Sequence, residues 1–522
     1  LLLIGALLVA CGGGGAANNT TEEPAAEEPA AEEPAAEEPT EAPVAEEPAA
    51  EEPTEAPVAE EPTEEEATEE EPTEEAAGEG EEEAAGEGEE EGGLLEEGGE
   101  AAAGGMPLNA EVSGDIEFWH FWGSPVRRNA IRRVVAACQQ ELPNITVTET
   151  FKPFGDIWTA NIAAVAAGSG MPDVIVEDRP QLPLRARDGI ATNLGEFAAA
   201  DAVDGSGFLP FAWEETLYEG DPYGIPFETD VTVLFYNKTA FEQAGLDPES
   251  PPETWEEYEQ YAEQLTVQNE DGSFQTIGAF PLFNRGPDFW AYTNGWQSVV
   301  DGQPNVNAPE YVETLEWING WVERYGGWQN IQNFRASYGA APNDLFMSGA
   351  VPMVIDIAGY ASQLNFYRPR VAVPDGDDDN TDPDMVEMQW GISHVPYNVE
   401  QATWSGGFAF SIPSGAENPE AAWEFIKCAA GPIGQSSWAR DTYAIPTNIE
   451  ALNDPVLAAD PNWTSIVEQM EFSRGSTYVQ GYPNWTEQVN PNLERVWTGE
   501  ITPQQLAEEA QSNIDSQIES SQ

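Results

Sequence analysis

Between Thr21 and Glu100 the chain carries 35 glutamates and not one basic residue, with proline recurring in variants of the repeat Glu-Glu-Pro-Ala-Ala before Glu/Gly tracts take over. Such a run has no way to build a core. Its prolines remove backbone donors and clash with a helical turn, its carboxylates repel one another, and it has almost no large apolar side chain to bury. The expected state is extended and partly polyproline II, at about 3.1 Å per residue in the proline-rich part. Tertiary structure must come from the rest of the chain. The sequence therefore divides into a short apolar start (1–11), a disordered Glu/Pro/Ala/Gly-rich linker (12–112) and a globular part (113–522). The linker reads equally as a spacer that lifts the folded part through a cell wall and as a solvating tail of no tuned length.

The apolar start runs from Leu1 to Leu8-Val9-Ala10-Cys11. It is shorter than the roughly 20 residues a spanning helix needs, and a small residue before cysteine is how a bacterial lipoprotein signal ends. Cys11 is the expected lipidation site. Two or three acyl chains would anchor the protein stably outside the cytoplasmic membrane. No starting Met or basic segment precedes the run, so the precursor is expected to begin upstream.

Of the formal charge of −78, about −43 remains once the linker glutamates are set aside. That field repels nucleic acid and anionic membrane surfaces, and no basic patch with interleaved aromatics offsets it. Beyond Cys11 only Cys138 and Cys428 remain, and the two histidines, His120 and His394, are far apart. Their spacing matches no structural zinc site, so neither a metal nor a cofactor is expected. Cys138 and Cys428 each lie on an apolar helix face. Two outcomes stay open, a disulfide closing a very long loop or two buried free thiols.

From about Ser113 the composition becomes globular and includes all 17 Trp. Ile116–Phe121 reads as a strand, and Ser124-Pro125 as an N-cap with proline at the first helical position, opening a helix to about Glu141. Ile145–Phe151 is a second strand, Asp156–Ala167 a helix ended by Gly168-Ser169-Gly170, and Asp173–Val176 a third strand. This βαβαβ order predicts a parallel sheet covered by helices. Further on, Val231–Tyr236, Ala350–Asp356 and Phe408–Ile412 read as strands. Thr254-Trp255-Glu256-Glu257 is a capping box, and Asn418-Pro419 opens an apolar-faced helix.

Four consecutive stretches carry a resemblance: Tyr223-Gly224-Ile225-Pro226-Phe227-Glu228-Thr229-Asp230, Val233-Leu234-Phe235-Tyr236-Asn237-Lys238, Phe241-Glu242-Gln243-Ala244-Gly245-Leu246 and Pro252-Glu253-Thr254-Trp255-Glu256-Glu257. They resemble the extracellular solute-binding proteins of ABC transporters, sugar-binding family 1. Gly349-Ala350-Val351-Pro352-Met353 and Gly406-Gly407-Phe408-Ala409-Phe410-Ser411-Ile412-Pro413 support the likeness. It covers roughly Ile116 to Ser512. The resemblance implies an α/β, two-lobed periplasmic-binding-protein-like fold of type II, with the chain crossing between lobes several times. It further implies a monomer that captures a carbohydrate between the lobes and delivers it to ABC permease subunits, on the extracellular face of the cytoplasmic membrane or in the periplasm. It also places Cys138 and Cys428 in one lobe, with their helices side by side. One departure stands out: Asp356-Ile357-Ala358-Gly359-Tyr360 replaces the family's Asp-Gly-Ser-Trp, so the aromatic is Tyr360, displaced by one position.

A sugar site needs flat rings for the C–H faces and planar amides or carboxylates for the hydroxyl edges. In open α/β sheets such groups sit in loops beyond the strand ends. The expected ligand residues are His120 and Trp122 after the first strand, Glu177 and Asp178 after the third, and Glu228 and Asp230 at the first crossing. Asn294 and Trp296, Asp356 and Tyr360, Trp404 at the return crossing, and Tyr443 complete the set. Trp122, Trp296 and Trp404 are expected to converge on the cleft, whereas Trp255 and Trp423 sit in a helix start and an apolar stripe. Catalytic residues are not expected. A glycoside hydrolase would need two carboxylates about 5 to 9.5 Å apart, and Glu228 with Asp230 or Asp178 would have to supply them. An adhesion or scaffolding lipoprotein leaves the resemblance unexplained. Within binding, the acidic charge keeps a cationic solute such as a polyamine as the alternative ligand.

Overall fold

The computed structural model describes residues 106–373, 384–474 and 485–521. Cys11 and the acidic linker through Gly105 lie outside the described residues. The folded part starts ahead of the expected boundary at 113. Met106 and Leu108 pack on the first lobe, Lys427 Nζ donates to the Pro107 carbonyl at 2.6 Å, and Asn109 N–H donates to Glu424 Oε2 at 2.8 Å. These two apolar side chains come after a Gly/Ala-rich stretch whose composition masks them.

The first lobe opens with β1 (Gly114–His120), α1 (Pro125–Glu141), β2 (Ile145–Phe151), α2 (Asp156–Ala167) and β3 (Val174–Asp178), in the expected order. Ser124 Oγ accepts from the Arg127 N–H at 3.3 Å and so satisfies one orphan donor of α1. The helix then buries Val126, Ala130, Ile131, Val134, Val135 and Cys138 as one stripe. β1 pairs in parallel with both β2 and β3.

The chain leaves this lobe through β4 (Ile225–Thr229) and enters the second through β5 (Thr232–Asn237); every residue of both strands is buried. The second lobe then contributes α3 (Trp255–Leu265), α4 (Pro287–Thr293), α5 (Pro309–Arg324), β6 (Met353–Ile357), α6 (Tyr360–Tyr367) and β7 (Trp390–Ser393). The capping box at α3 is complete: Glu257 N–H donates to Thr254 Oγ1 and Thr254 N–H donates to Glu257 Oε2, each at 3.2 Å. β5 lies between β6 and β7 and is antiparallel to both.

The return runs through β8 (Thr403–Trp404) and β9 (Gly407–Ser411), then α7 (Pro419–Ala429), α8 (Pro432–Thr442) and β10 (Ile445–Pro446). The first-lobe sheet has the order β10-β4-β9-β3-β1-β2. It is mixed, not parallel throughout as expected, because β4 carries the chain out and β9 brings it back, so β9 is antiparallel to β3 and β4. The C-terminal ends of β1, β3 and β4 consequently all lie on the side of the crossing. The lobes centre on different buried clusters, the second lobe's reaching Ala439 of α8 and Ile445 of β10. Within the first, Cys138 of α1 and Cys428 of α7 form a disulfide with Cα atoms 5.7 Å apart, which decides between the two outcomes left open.

Candidate functional site

The two crossing strands are clamped together by a buried arginine. Arg179, just past β3 and 1% exposed, donates from Nη1 to the Glu228 carbonyl at 2.9 Å and from Nη2 to the Gly406 carbonyl at 3.2 Å. Its Nε pairs with Glu215 at 2.6 Å. One step along, Gly406 N–H donates to Asp230 Oδ1 at 3.1 Å and Thr229 Oγ1 donates to the Gly406 carbonyl at 2.7 Å. On the far side of the crossing, Thr403 Oγ1 accepts from Thr232 N–H at 3.0 Å and donates to the Thr232 carbonyl at 2.6 Å. These bonds hold two chain passages in register between lobes centred on different buried clusters, which is the construction of a hinge.

Beside this hinge both lobes present charged and polar groups. From the first lobe come Asp178, Glu228 and Arg127. Trp438 Nε1 donates to Glu228 Oε2, and burial pushes the Glu228 carboxyl up to about 7 against the pull of Arg127. Burial likewise raises Asp178 to about 6, with Arg179 opposing it and Asp230 close enough to add repulsion. From the second lobe, Asp356 accepts from Asn284 Nδ2 at 3.1 Å and lies 3.8 Å from Arg285 Nη2. Arg285 also donates to Thr232 Oγ1 at 3.1 Å from Nε and 3.0 Å from Nη2, which ties this group to the hinge. Burial raises the Asp356 carboxyl, and Arg285 and Arg127 draw it back. Arg127 thus feels a carboxylate of each lobe. Tyr360 donates to Asp344 Oδ1 at 2.9 Å, and burial together with that carboxylate pushes its hydroxyl far up.

Among the expected ligand residues, Asp178, Glu228 and Asp230 gather at the crossing and Asp356 with Tyr360 face them from the second lobe. Trp404 is partly exposed on β8, with its ring 5.9 Å from Phe289. The other residues lie inside one lobe, except Tyr443, which reaches from the end of α8 to Asn365 of α6. Trp122 is 1% exposed in the first-lobe core, 4.4 Å from Trp438. Trp296 is 2% exposed in the second-lobe core, where Nε1 donates to the Asn305 carbonyl at 2.7 Å. The three tryptophans do not converge, since two of them fill separate cores. His120 is buried against Trp122 and Phe118, and burial lowers it to about 4. Glu177 is buried between Arg185 at 3.3 Å and Asn161 at 3.5 Å. Alternation along β3 sends it to the helix-covered face while Asp178 ends the strand. Asn294 spends its amide inside the second lobe, on the Glu310 carbonyl at 3.0 Å and Asn398 at 2.6 Å. Tyr443 bonds Asp460 and, at 3.2 Å, Asn365.

Sequence reasoning missed Arg127, Asn284, Arg285 and Asp344. For Arg127 a signal exists: a cation in the first turn of α1 opposes the helix dipole, and that turn holds no acidic residue to offset it. A residue that breaks a local rule marks a site of function more often than an accident. Asn284, Arg285 and Asp344 lie in loops with no periodic pattern. Taken together, acceptors (Asp178, Asp230, Asp356), donors (Arg127, Asn284) and a partly exposed ring (Trp404) can bind a polar, hydroxyl-rich molecule. Among the described residues no group of three or more His, Cys, Asp or Glu is placed to hold a metal ion.

The chain is similar in sequence and structure to known binding proteins. The sn-glycerol-3-phosphate-binding periplasmic protein UgpB of Escherichia coli strain K12 is 23% identical over 439 residues, covering 78% of this chain and 94% of that protein. CpMnBP1, solved with mannotriose bound, is 25% identical with a TM-score of 0.66 over 77% of this chain and 99% of that one. An ABC substrate-binding protein from Listeria monocytogenes in complex with cycloalternan shares the fold, at 20% identity and a TM-score of 0.63 over 78% of this chain and all of that one. The family model for bacterial extracellular solute-binding protein matches residues 133–465, a span that contains both crossing passages and, of the groups beside them, all but Arg127. This chain belongs to that family.

Proposed function

We propose that the protein captures a sugar or oligosaccharide between its lobes and hands it to the permease subunits of an ABC importer, without transforming it. The observation that carries this reading is the hinge: two passages clamped by Arg179 join lobes whose facing edges supply both donors and acceptors. A ligand that contacts both edges stabilises the closed form over the open one, and only that differential affinity can move the hinge. The curated relatives and solved structures are binding proteins, which favours binding over hydrolysis. A polyamine fits poorly, because Arg127 and Arg285 stand among the carboxylates on this otherwise acidic chain. Lipidation at Cys11 would hold the protein, as a monomer, at the outer face of the membrane, with residues 12–105 as the tether.

The site set is Arg127, Asp178, Glu228, Asp230, Asn284, Asp356, Tyr360 and Trp404. Replacing Trp404 by Ala is expected to weaken sugar binding by about 1 to 3 kcal/mol while the melting temperature holds. Trp122→Ala and Trp296→Ala, cut from the two cores, are expected instead to lower stability by about 3 to 5 kcal/mol. Calorimetric titration beside thermal melts distinguishes the two patterns. Unchanged sugar affinity in Trp404→Ala would remove that residue from the site.

A further inference from the structure

The second lobe holds a cavity of about 160 Å³ at the cleft end of β6, lined among others by Asn284, Arg335, Tyr338, Asp344, Asp356 and Tyr360. Its place is fixed by register: Asp356 and Ile357 pair with Val233 and Thr232, the first residues after the crossing. One carboxylate of its lining, that of Asp344, is out of balance. Asp344 Oδ1 accepts from Phe346 N–H at 2.9 Å, Met347 N–H at 2.8 Å and the Tyr360 hydroxyl at 2.9 Å. Its other oxygen, Oδ2, is buried with no hydrogen-bond partner among the described residues. A buried carboxylate oxygen left without a donor is costly, and the cost is relieved by whatever brings a donor to it.

The chemistry of the walls decides which donor fits. Asp344 and Asp356 both offer acceptor oxygens and repel each other electrostatically. A phosphate or carboxylate entering here would set acceptor against acceptor and negative charge against negative charge. A sugar hydroxyl donates to Asp344, while a neighbouring hydroxyl accepts from Asn284 or from Arg335 at the exposed rim. Tyr338, partly exposed and 5.2 Å from Phe334, supplies a ring beside them. A cavity of this size holds one ring and not a chain. We propose that it is the subsite that grips one uncharged terminal sugar ring, and that Asp344 Oδ2 selects a hydroxyl donor over an anionic group. This rests on the sugar reading above and narrows it to neutral saccharides.

The test is calorimetric titration of the full chain with mannobiose, mannotriose, maltose and glycerol 3-phosphate. The wild type is expected to bind at least one neutral saccharide tenfold or more tighter than glycerol 3-phosphate. Asp344→Asn keeps an acceptor for Phe346, Met347 and Tyr360 but presents an amide donor in place of Oδ2. It is expected to weaken that saccharide at least tenfold with its melting temperature unchanged. Should the variant not fold, Arg335→Gln at the rim is expected to weaken binding about threefold to tenfold. Wild-type affinity in a folded Asp344→Asn, or in Arg335→Gln if that variant has to serve, overturns the subsite and leaves the sugar reading standing. A wild type that prefers glycerol 3-phosphate overturns the selection for neutral ligands. A wild type that binds none of these saccharides overturns both.

Discussion

Arg127 of the first lobe lies against Gly359 of the second so closely that a Cβ on Gly359 would sit 2.8 Å from Arg127 Nη2 and 3.2 Å from the Thr442 carbonyl. The glycine leaves room for the Arg127 guanidinium at the start of α6. A side chain there would push the Arg127 guanidinium, the flexible end of its side chain, away from the point where it feels both Glu228 and Asp356. Gly359→Val is expected to weaken ligand binding about tenfold, or roughly 1.4 kcal/mol, with little change in the melting temperature. Calorimetric titration beside thermal melts checks this, and wild-type affinity in the variant would contradict it.

Gly407 presents a different kind of close approach, within the hinge itself. A Cβ there would collide with the Glu228 carbonyl and stand 2.7 Å from Arg179 Nη1, and the residue has φ of +152°. Neither neighbour can retreat, since Arg179 holds the Glu228 carbonyl on one side and Gly406 on the other. Gly407→Ala is therefore expected to lower stability by about 2 to 3 kcal/mol, measured by urea denaturation.

Glu228 makes stability depend on pH. Its carboxyl stands near 4.5 when unfolded and is pushed up to about 7 by burial in the fold. Between those values the native state holds a proton that the unfolded state has released, so this contribution is full below about pH 4.5 and is lost as pH rises to about 7. Glu228→Gln keeps an acceptor for Trp438 and removes the titration. Relative to the wild type, the variant is expected to gain stability as pH rises across that window, by up to about 3 kcal/mol. Denaturation curves at pH 4, 5.5 and 7 track the difference directly, and a difference that stays flat contradicts the assignment.

The fold was readable because its local signals agree with its tertiary demands. Ser124-Pro125 opens α1, Thr254 with Glu257 opens α3, and the buried strands β4 and β5 coincide with the stretches that carry the family likeness. Strand direction in the sheet was not readable, because it depends on where β9 re-enters after more than a hundred residues in the other lobe. The site was legible only in part. Asp230 and Asp356 can be placed by position relative to a crossing, which the chain order reveals. Trp122 and Trp296 do not separate from Trp404 in sequence, because whether a tryptophan at the edge of a loop turns into the core or out to the cleft depends on neighbours such as Trp438 and Tyr311, which arrive from other segments. Asp344 left no trace at all, since its importance lies in one unmatched oxygen.

A neutral saccharide is expected to close the lobes over the cleft. Small-angle scattering of the full chain during titration with neutral saccharides, mannotriose among them, and separately with spermidine, tests it most directly. The radius of gyration is expected to fall and saturate with a Kd near the micromolar level, about −8 kcal/mol, for at least one saccharide, and to stay unchanged with spermidine. Compaction by spermidine alone, or saccharide binding with no compaction, would contradict it.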